Sequence, residues 1–256
     1  MCLIAFSWQP GDATPLRLIA NRDELHARPA APLATWSDAP HLVGGRDLEA
    51  GGTWLAVNRN GRIAALTNVR DPSLIMPATT PSRGALVREA LEHPHLKQWL
   101  HELADGAALQ YAGFNLLVRE ANQLWHLYRG RERTHLSRVT PGIHGLSNAD
   151  LDTAWPKLIR ARQALSRDNV SGWPCASLDA MHDVRTASPQ ALPDTGVGKE
   201  LELRLSAAFI LGEVYGTRAT TWLSLTADGK LSISEQRFAE QGRANGETHL
   251  ELQVPA

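Results

Sequence analysis

The chain has 256 residues, of which 43% are hydrophobic, and its formal net charge at pH 7 is −1. This near-neutral balance gives no electrostatic footprint of a protein that binds nucleic acid or anionic membranes. No apolar run approaches the roughly 20 residues that span a bilayer, so we expect no membrane-spanning segment. The length suits one large domain or two small ones.

The cysteine content bears on the cellular compartment and on metal binding. The chain has two cysteines, Cys2 and Cys175, which is too few for a disulfide framework. Charged residues from Asp12 onward interrupt the start of the chain before any apolar stretch long enough for a signal peptide. We therefore expect a soluble, cytoplasmic protein. Neither cysteine has a partner at metal-ligand spacing, so the sequence predicts no metal site.

The first predicted element is a β-hairpin. Residues 2–8 and 16–20 are short apolar runs with a Pro-Gly-Asp turn between them. A run of four polar residues, Asn-Arg-Asp-Glu, follows the second strand and is typical of a solvated loop. Strand pairing would nevertheless bring Arg22 or Asp23 close to Cys2. An arginine there favours the thiolate, and an aspartate can hold an ammonium group or the thiol proton.

Three further hairpins and two helical stretches follow along the chain. The hairpins are predicted at 53–58 with 62–68, at 114–120 with 123–130, and at 221–226 with 230–238. The first helical stretch covers 82–104, and Pro94 is expected to divide it. The second covers 152–165, with an apolar face formed by Trp155, Leu158, Ile159 and Leu165.

The remaining segments lack a clear hydrophobic period. Residues 27–50 are predicted to form a surface loop. Residues 166–200 are rich in Pro, Ser, Asp and Gly, which is typical of a lid or of a long connection. The last fifteen or so residues are polar and are expected to be loosely held. Many hairpins, few helices and no βαβ alternation predict one α+β domain over residues 1–256, with antiparallel sheets covered by helices.

Cys2 carries the first functional hypothesis. Aminopeptidases remove an initiator methionine that precedes a small residue, so we expect the mature chain to begin at Cys2. A free α-amine has a pKa of roughly 7.7–8.0 and can take the proton from the thiol of the same residue. The thiolate so formed is the nucleophile. The structural alternative is that Cys2 is a small apolar residue opening a buried strand.

Two asparagines stand at predicted strand ends and allow two interpretations each. Asn68 ends the strand before Pro72, and Asn148 lies between a short strand and a helix. An asparagine in such a position can donate its amide N–H to an oxyanion. It can equally cap a turn or a helix.

Motifs spread in order along nearly the whole chain resemble one family. They are Met1-Cys2-Leu3-Ile4, Asn21-Arg22-Asp23-Glu24, Thr67-Asn68-Val69-Arg70-Asp71, Ser82-Arg83-Gly84, Gly145-Leu146-Ser147-Asn148, Trp155-Pro156-Lys157 and Tyr215-Gly216-Thr217-Arg218-Ala219-Thr220-Thr221. By these motifs the chain is identified as a member of the NRDE family, also called the transport and Golgi organisation protein family. That family in turn resembles the Cys-type N-terminal-nucleophile hydrolases, whose fold is a four-layer αββα sandwich of antiparallel sheets.

The resemblance implies roles for named residues. Cys2 would be the nucleophile, Asp23 would orient its amine, and Asn68 and Asn148 would stabilise the tetrahedral intermediate. The hydrolases usually place an arginine three residues before the aspartate, where this chain has Ala20. Arg22, next to Asp23, is the predicted catalytic arginine, and Arg218 is the alternative source of that charge. The residues predicted to contact the ligand are Asn21, His144 and Arg218.

The resemblance also implies the chemistry and its alternative. The first hypothesis is a hydrolase or acyltransferase that acts on the amide or thioester bond of a hydrophobic acyl compound and needs no cofactor. The second is a carrier that holds haem or an acyl lipid in the same cleft without turnover, with His26 and His144 as candidate haem ligands. A third, the organising role in the secretory pathway that gives the family its name, would be indirect for a chain with no membrane segment. No feature of the sequence predicts the oligomeric state.

Overall fold

The computed structural model describes residues 2–255, and within them the chain forms two antiparallel sheets, one of six strands and one of seven. In spatial order the six-stranded sheet contains β10 (Gly142–Leu146), β1 (Cys2–Trp8), β2 (Leu16–Leu25), β11 (Tyr215–Leu225), β12 (Lys230–Phe238) and β13 (Ala244–Gln253). The seven-stranded sheet contains β3 (Ala30–Thr35), β4 (Leu42–Asp47), β5 (Leu55–Asn58), β6 (Ile63–Asn68), β7 (Phe114–Glu120), β8 (Gln123–Arg129) and β9 (Thr134–Arg138).

Five α-helices lie within the described residues. They are α1 (Gly84–Glu92), α2 (Leu96–Ala104), α3 (Pro156–Arg167), α4 (Cys175–Met181) and α5 (Lys199–Arg204). Three short 3-10 turns occur at Ala107–Gln110, Pro189–Ala191 and Glu240–Gly242. The break between α1 and α2 falls at Pro94, as predicted, because proline removes a backbone donor and clashes with the preceding turn. None of the helices in residues 2–255 is long and apolar enough to cross a membrane.

The layers follow from the alternation of side chains along the central strands. Ile4 and Phe6 of β1 face the seven-stranded sheet and join the core between the two sheets. Leu3 and Ala5 face the opposite way and pack with α3 and α4. Helices α1 and α2 cover the outer face of the seven-stranded sheet. The fold is therefore a four-layer αββα sandwich of antiparallel sheets, which confirms the predicted architecture.

Three segments predicted to be irregular are strands. The polar run Asn-Arg-Asp-Glu continues β2, because β2 lies between β1 and β11 and its polar side chains find partners inside the fold. The predicted surface loop 27–50 contains β3 and β4, and the polar C-terminal residues form β13. Strands β3 and β13 lie at sheet edges, where one side faces solvent and a regular apolar pattern is not required.

The second helical prediction was wrong in its details. Helix α3 begins at Pro156 instead of Asp152, since proline is well suited to the first turn of a helix. Ile159 is 41% exposed and lies outside the buried stripe of this helix. The segment 166–200 is not wholly irregular: α4 packs against α3 and β2 on the outer face of the six-stranded sheet.

Candidate functional site

A cavity of about 160 Å³ lies beside the start of β1 and the end of β2. The end of β6 and the start of α1 complete its wall. Its wall is formed by Cys2, Arg22, Asp23, Glu24, Arg28, Asp47, Thr53, Trp54, Leu66, Asn68, Ser82, Arg83 and Gly84. Four of the residues predicted from sequence to be catalytic are therefore brought together at one place. Most of the wall is polar or charged.

Cys2 and Arg22 are direct partners across the two strands of the first hairpin, which confirms the predicted proximity. Directly opposite residues of an antiparallel pair share one face of the sheet, so both side chains lie on the cavity side. The Arg22 guanidinium packs 4.4 Å above the centre of the Trp54 ring. This cation–π contact keeps Arg22 in place beside Cys2. Burial raises the pKa of the Cys2 thiol, and Arg22 works in the opposite direction.

Asp23 is buried on the opposite face of β2, because neighbouring residues of a strand alternate. Its Oδ1 accepts a hydrogen bond of 2.7 Å from Thr217 Oγ1. Burial raises the pKa of this carboxyl, while the nearby Lys157 ammonium lowers it. Asp23 thus forms part of a buried network of charged groups directly behind Cys2.

Lys157 belongs to that network and was not assigned a role from sequence. It lies in the first turn of α3, and its Nζ donates a hydrogen bond of 2.9 Å to Leu205 O. Burial lowers the pKa of Lys157 to about 8, and the charge of Asp23 opposes that change. The signal in the sequence was a lysine within the apolar stripe of a helix, next to Leu158 and one turn before Ala161.

The two asparagines have different positions. Asn68 ends β6 and lines the cavity. Asn148 lies behind it, where its Nδ2 donates to Asn68 O at 2.9 Å and its Oδ1 accepts from Arg70 Nη2 at 3.2 Å. The amide N–H of Arg70 returns a hydrogen bond of 2.8 Å to Asn148 O. Asn148 therefore holds the end of β6 in place and is not in the cavity wall of the described chain.

Two further arginines line the cavity. Arg28 is paired with Asp47 at 2.6 Å and Glu49 at 2.7 Å, so its charge is already balanced. Arg83 donates to Gly113 O at 3.0 Å, and burial lowers the pKa of its guanidinium while the charge of Cys2 opposes that change. Arg83 was not predicted from the sequence to be a site residue, although it belongs to the Ser-Arg-Gly motif.

The three residues predicted to contact the ligand lie elsewhere in the described chain. The amide of Asn21 is used inside the fold, where it donates to Met181 O and Ala208 O and accepts from Thr220 Oγ1.

His144 and Arg218 are likewise engaged outside the wall of this cavity. His144 Nδ1 lies 2.7 Å from Asp152 Oδ2, and its Nε2 lies 2.9 Å from the Thr140 carbonyl oxygen. Arg218 Nη1 donates to Leu25 O at 2.7 Å and to Arg28 O at 3.0 Å. Because the side chains of these residues already have partners, the structure favours a role in holding the strands around the site.

The cavity rim depends on a close approach of two backbones. A Cβ at Gly52 would lie 2.4 Å from the carbonyl carbon of Gly84, and Thr53 N donates to Gly84 O at 3.2 Å. We expect Gly52→Ala to lower the free energy of unfolding by about 1–3 kcal/mol, because backbone atoms cannot move aside as a flexible side chain can. Urea denaturation measures this, with Gly11→Ala as the control, since nothing lies within 4 Å of a Cβ there. Equal stability of the two variants would contradict this account of the rim.

The fold and site define a class: an αββα sandwich with a buried thiol at the first residue of a central strand, beside an arginine and a strand-end asparagine. Residues 1–240 match the family model described as Transport and Golgi organisation 2. The chain therefore belongs to the Transport and Golgi organisation 2 family, which confirms the family predicted from the motifs.

Relatives cover the chain almost completely. The human Transport and Golgi organization protein 2 homolog is 31% identical over 97% of each chain. The mouse homolog is 29% identical over 97% of each chain. The Drosophila melanogaster Transport and Golgi organization protein 2 is 32% identical over 59% of this chain and 56% of its own.

Two solved structures are also similar to the chain. One is a Caenorhabditis elegans ortholog of N-acylethanolamine-hydrolyzing acid amidase, with 10% identity and a TM-score of 0.45 over 87% of this chain and 92% of that one. The other is a mutant conjugated bile acid hydrolase from Clostridium perfringens, with 8% identity and a TM-score of 0.48 over 98% of this chain and 92% of that one.

Proposed function

We propose that the protein is an N-terminal-nucleophile hydrolase or acyltransferase that cleaves the amide or thioester bond of a small acyl compound. The observation that carries the proposal is the position of Cys2 at the head of β1, in the wall of a cavity and opposite Arg22. A thiol placed only for packing would not need a cation and a strand-end asparagine around it. No cofactor is needed for this chemistry.

The reaction begins with removal of Met1. While Met1 is attached, the nitrogen of Cys2 is a peptide amide and has no basicity. After its removal the free amine takes the thiol proton, and the thiolate attacks the carbonyl carbon of the substrate. A C–S bond forms, the C–N or C–S bond to the leaving group breaks, and the ammonium returns a proton to that group. Water, or an acceptor nucleophile, then cleaves the acyl-thioester and restores the thiol.

The environment of Cys2 affects the pKa of its thiol, and so how much activation the free amine must supply. We expect the Cys2 thiol of the processed chain to have a pKa below its usual value, although burial alone raises that pKa. Burial has this effect because Cys2 lies among β-strands and loses hydration that a thiolate needs. Arg22 offsets part of that cost. We infer that the free amine supplies the remaining activation.

The oxyanion that forms on the substrate needs a donor, and Asn68 is the asparagine positioned to provide one. It lines the cavity together with Cys2, whereas Asn148 holds the backbone of Asn68 through a hydrogen bond of 2.9 Å. We assign Asn68 as the oxyanion donor and Asn148 as a positioning residue. Asp23 and Lys157 form the buried charged network behind the nucleophile.

The cavity wall indicates which part of a substrate fits beside Cys2. The ionisable residues that face it beside Cys2 are Arg22, Glu24, Arg28, Asp47 and Arg83, and its larger apolar residues are Trp54 and Leu66. A small volume with arginines near the nucleophile suits a carbonyl flanked by a polar or anionic group. A hydrophobic acyl chain, which the resemblance predicts, would extend from there over the Trp54 side of the cavity.

Alkylation of the two cysteines tests the proposal. We expect intact-mass spectrometry to show loss of Met1 in the native protein. Iodoacetamide should label Cys2 at pH 7 at least about tenfold faster in this processed chain than in a chain that keeps Met1 behind an N-terminal extension, the effect of one pKa unit on the thiolate fraction. The exposed Cys175 is the internal control and should react equally in both. Retention of Met1 in the native protein, or equal rates at Cys2, would rule out the mechanism.

A further inference from the structure

Two histidines and an aspartate converge where the edges of the two sheets meet. We propose that His126, His135 and Asp150 bind a divalent transition-metal ion, with Zn²⁺ as the best-suited ion. One ring nitrogen of each histidine and one carboxylate oxygen of Asp150 all lie within 4.8 Å of one another. The cluster is separate from the cavity that contains Cys2.

The strand register explains why these side chains meet. His126 lies on β8 opposite Ser137, and His135 lies on β9 opposite Tyr128. The two histidines are thus diagonal neighbours on one face of the β8–β9 pair. Asp150 comes from the bend after β10, at the edge of the other sheet, so a bound ion would link the two sheets.

Hydrogen bonds determine which nitrogen of His126 carries its proton. Asn115 Nδ2 donates to Ala149 O at 2.8 Å and to Thr67 Oγ1 at 3.0 Å, which directs Asn115 Oδ1 toward His126. His126 Nε2 lies 2.9 Å from that oxygen and must be the donor, because a side-chain amide oxygen only accepts. The unprotonated nitrogen of His126 is therefore Nδ1, whose lone pair is available to a metal.

That Nδ1 is buried and has no hydrogen-bond partner among the described residues. A buried polar atom without a partner is unfavourable, which is why native proteins seldom contain one. A metal ion would satisfy it, and the Nε2–H bond to Asn115 is the outer contact that commonly orients a ligating histidine. Burial also lowers the pKa of His126 to about 4, so the ring is neutral at pH 7.

The other two ligands, His135 and Asp150, are partly exposed to solvent, and neighbouring side chains hold both of them. His135 stacks on the Tyr128 ring with centres 5.3 Å apart. Asp150 Oδ2 accepts from Arg133 Nη2 at 2.6 Å, and its Oδ1 lies 3.6 Å from His135 Nε2. Metal binding would use Oδ1 and leave the arginine pair intact. Without a metal, the same geometry is a weak contact between His135 and Asp150.

The donor set identifies the class of ion. Two imidazole nitrogens and one carboxylate suit Zn²⁺, Co²⁺ or Ni²⁺, whereas Mg²⁺ and Ca²⁺ prefer oxygen ligands alone. Three protein ligands leave at least one coordination position for water. The earlier prediction of no metal site rested on the cysteines. These three residues lie on separate segments and have no diagnostic spacing.

Metal titration of the full chain tests the proposal. Chelator-treated protein is titrated with Zn²⁺ by calorimetry and with Co²⁺ by visible absorption, which reports nitrogen and oxygen coordination directly. We expect one ion per chain, and we expect His135→Gln and Asp150→Asn each to weaken binding by at least about tenfold. Both positions are partly exposed, so both variants should fold. His95→Gln, at an exposed histidine outside the cluster, is the matched control and should bind as the native chain does.

Three results would overturn the proposal. The first is the absence of one-to-one binding of either ion. The second is an unchanged affinity in His135→Gln or in Asp150→Asn. The third is binding that is lost in Cys2→Ala and kept in both cluster variants, which would assign the ion to the cavity instead. Failure of the hydrolase proposal leaves this test unaffected, because its readouts do not depend on turnover.

Discussion

Replacing Cys2 with alanine is expected to lower turnover of acyl-amides or acyl-thioesters by roughly 10³-fold or more, since the variant keeps the binding site and loses the only proposed nucleophile. Release of free acid from a panel of acyl-amides and acyl-thioesters measures this. Cys2→Ala removes a side chain of small volume at the start of β1, so the variant should fold. Circular dichroism and urea denaturation verify that it does.

Two matched variants separate catalysis from other roles of the thiol. Cys175→Ala removes the other, exposed cysteine and should leave turnover unchanged. Asn68→Ala should lower the turnover number more than it changes the Michaelis constant, because an oxyanion donor acts chiefly in the transition state. Loss of activity in Cys175→Ala, or full activity in Cys2→Ala, would contradict the assignment.

The carrier hypothesis predicts the opposite pattern in the same set of proteins. A carrier would release no acid from any substrate of the panel. It would give a Soret band on haem titration, or bind an acyl-CoA, equally well with and without Cys2→Ala. Neither His26 nor His144 lies in the cavity wall of the described chain, so a haem bound there would need another ligand.

Breaking the buried ion pair between Arg70 and Glu202 is expected to have the largest effect on stability. The Arg70 side chain is 6% exposed and that of Glu202 is 3% exposed. Glu202 also accepts from Thr195 N at 2.9 Å, and Arg70 packs 5.0 Å above the centre of the Trp155 ring. We expect Arg70→Met to lower the free energy of unfolding by about 3–5 kcal/mol, because it leaves the Glu202 carboxylate buried without its cation.

Denaturation of the single variants Arg70→Met and Glu202→Leu, of the double variant and of an exposed-pair control distinguishes an ion pair from simple packing. The double variant Arg70→Met/Glu202→Leu should recover a large part of the loss, since no charge is then left buried and unpaired. Lys230→Gln breaks the exposed pair with Glu251, which measures 2.9 Å, and should not change stability measurably. A double variant as unstable as the sum of both single variants would show that packing dominates.

The same pair connects stability to the candidate site. Arg70 holds Asn148, and Asn148 holds the backbone of Asn68. Glu202 lies on α5, just after residues 166–200, the segment predicted to be a lid or a connection, and it accepts a hydrogen bond from Thr195 of that segment. That segment therefore supports Asn68 from behind through a chain of polar contacts.

Local patterns predicted the elements whose partners are close in sequence. The hairpins β1–β2, β5–β6, β7–β8 and β11–β12 were predicted because each pairs two apolar runs across a short turn. Strands β3 and β13 were missed, since an edge strand needs no regular apolar alternation. The polar end of β2 was mistaken for a loop because the sequence does not show that β11 will cover it.

The sequence by itself determined the family through its motifs, and the αββα architecture through the resemblance of that family. It also predicted that Arg22 or Asp23 lies close to Cys2, because register within a hairpin depends only on its turn and its apolar pattern. Only the tertiary structure decided which other side chains meet there. Arg83, Lys157 and Glu202 come from different helices or loops, and no spacing in the sequence relates them to Cys2. Their positions depend on how two sheets and two helical layers stack, which is decided by packing between segments far apart in the chain.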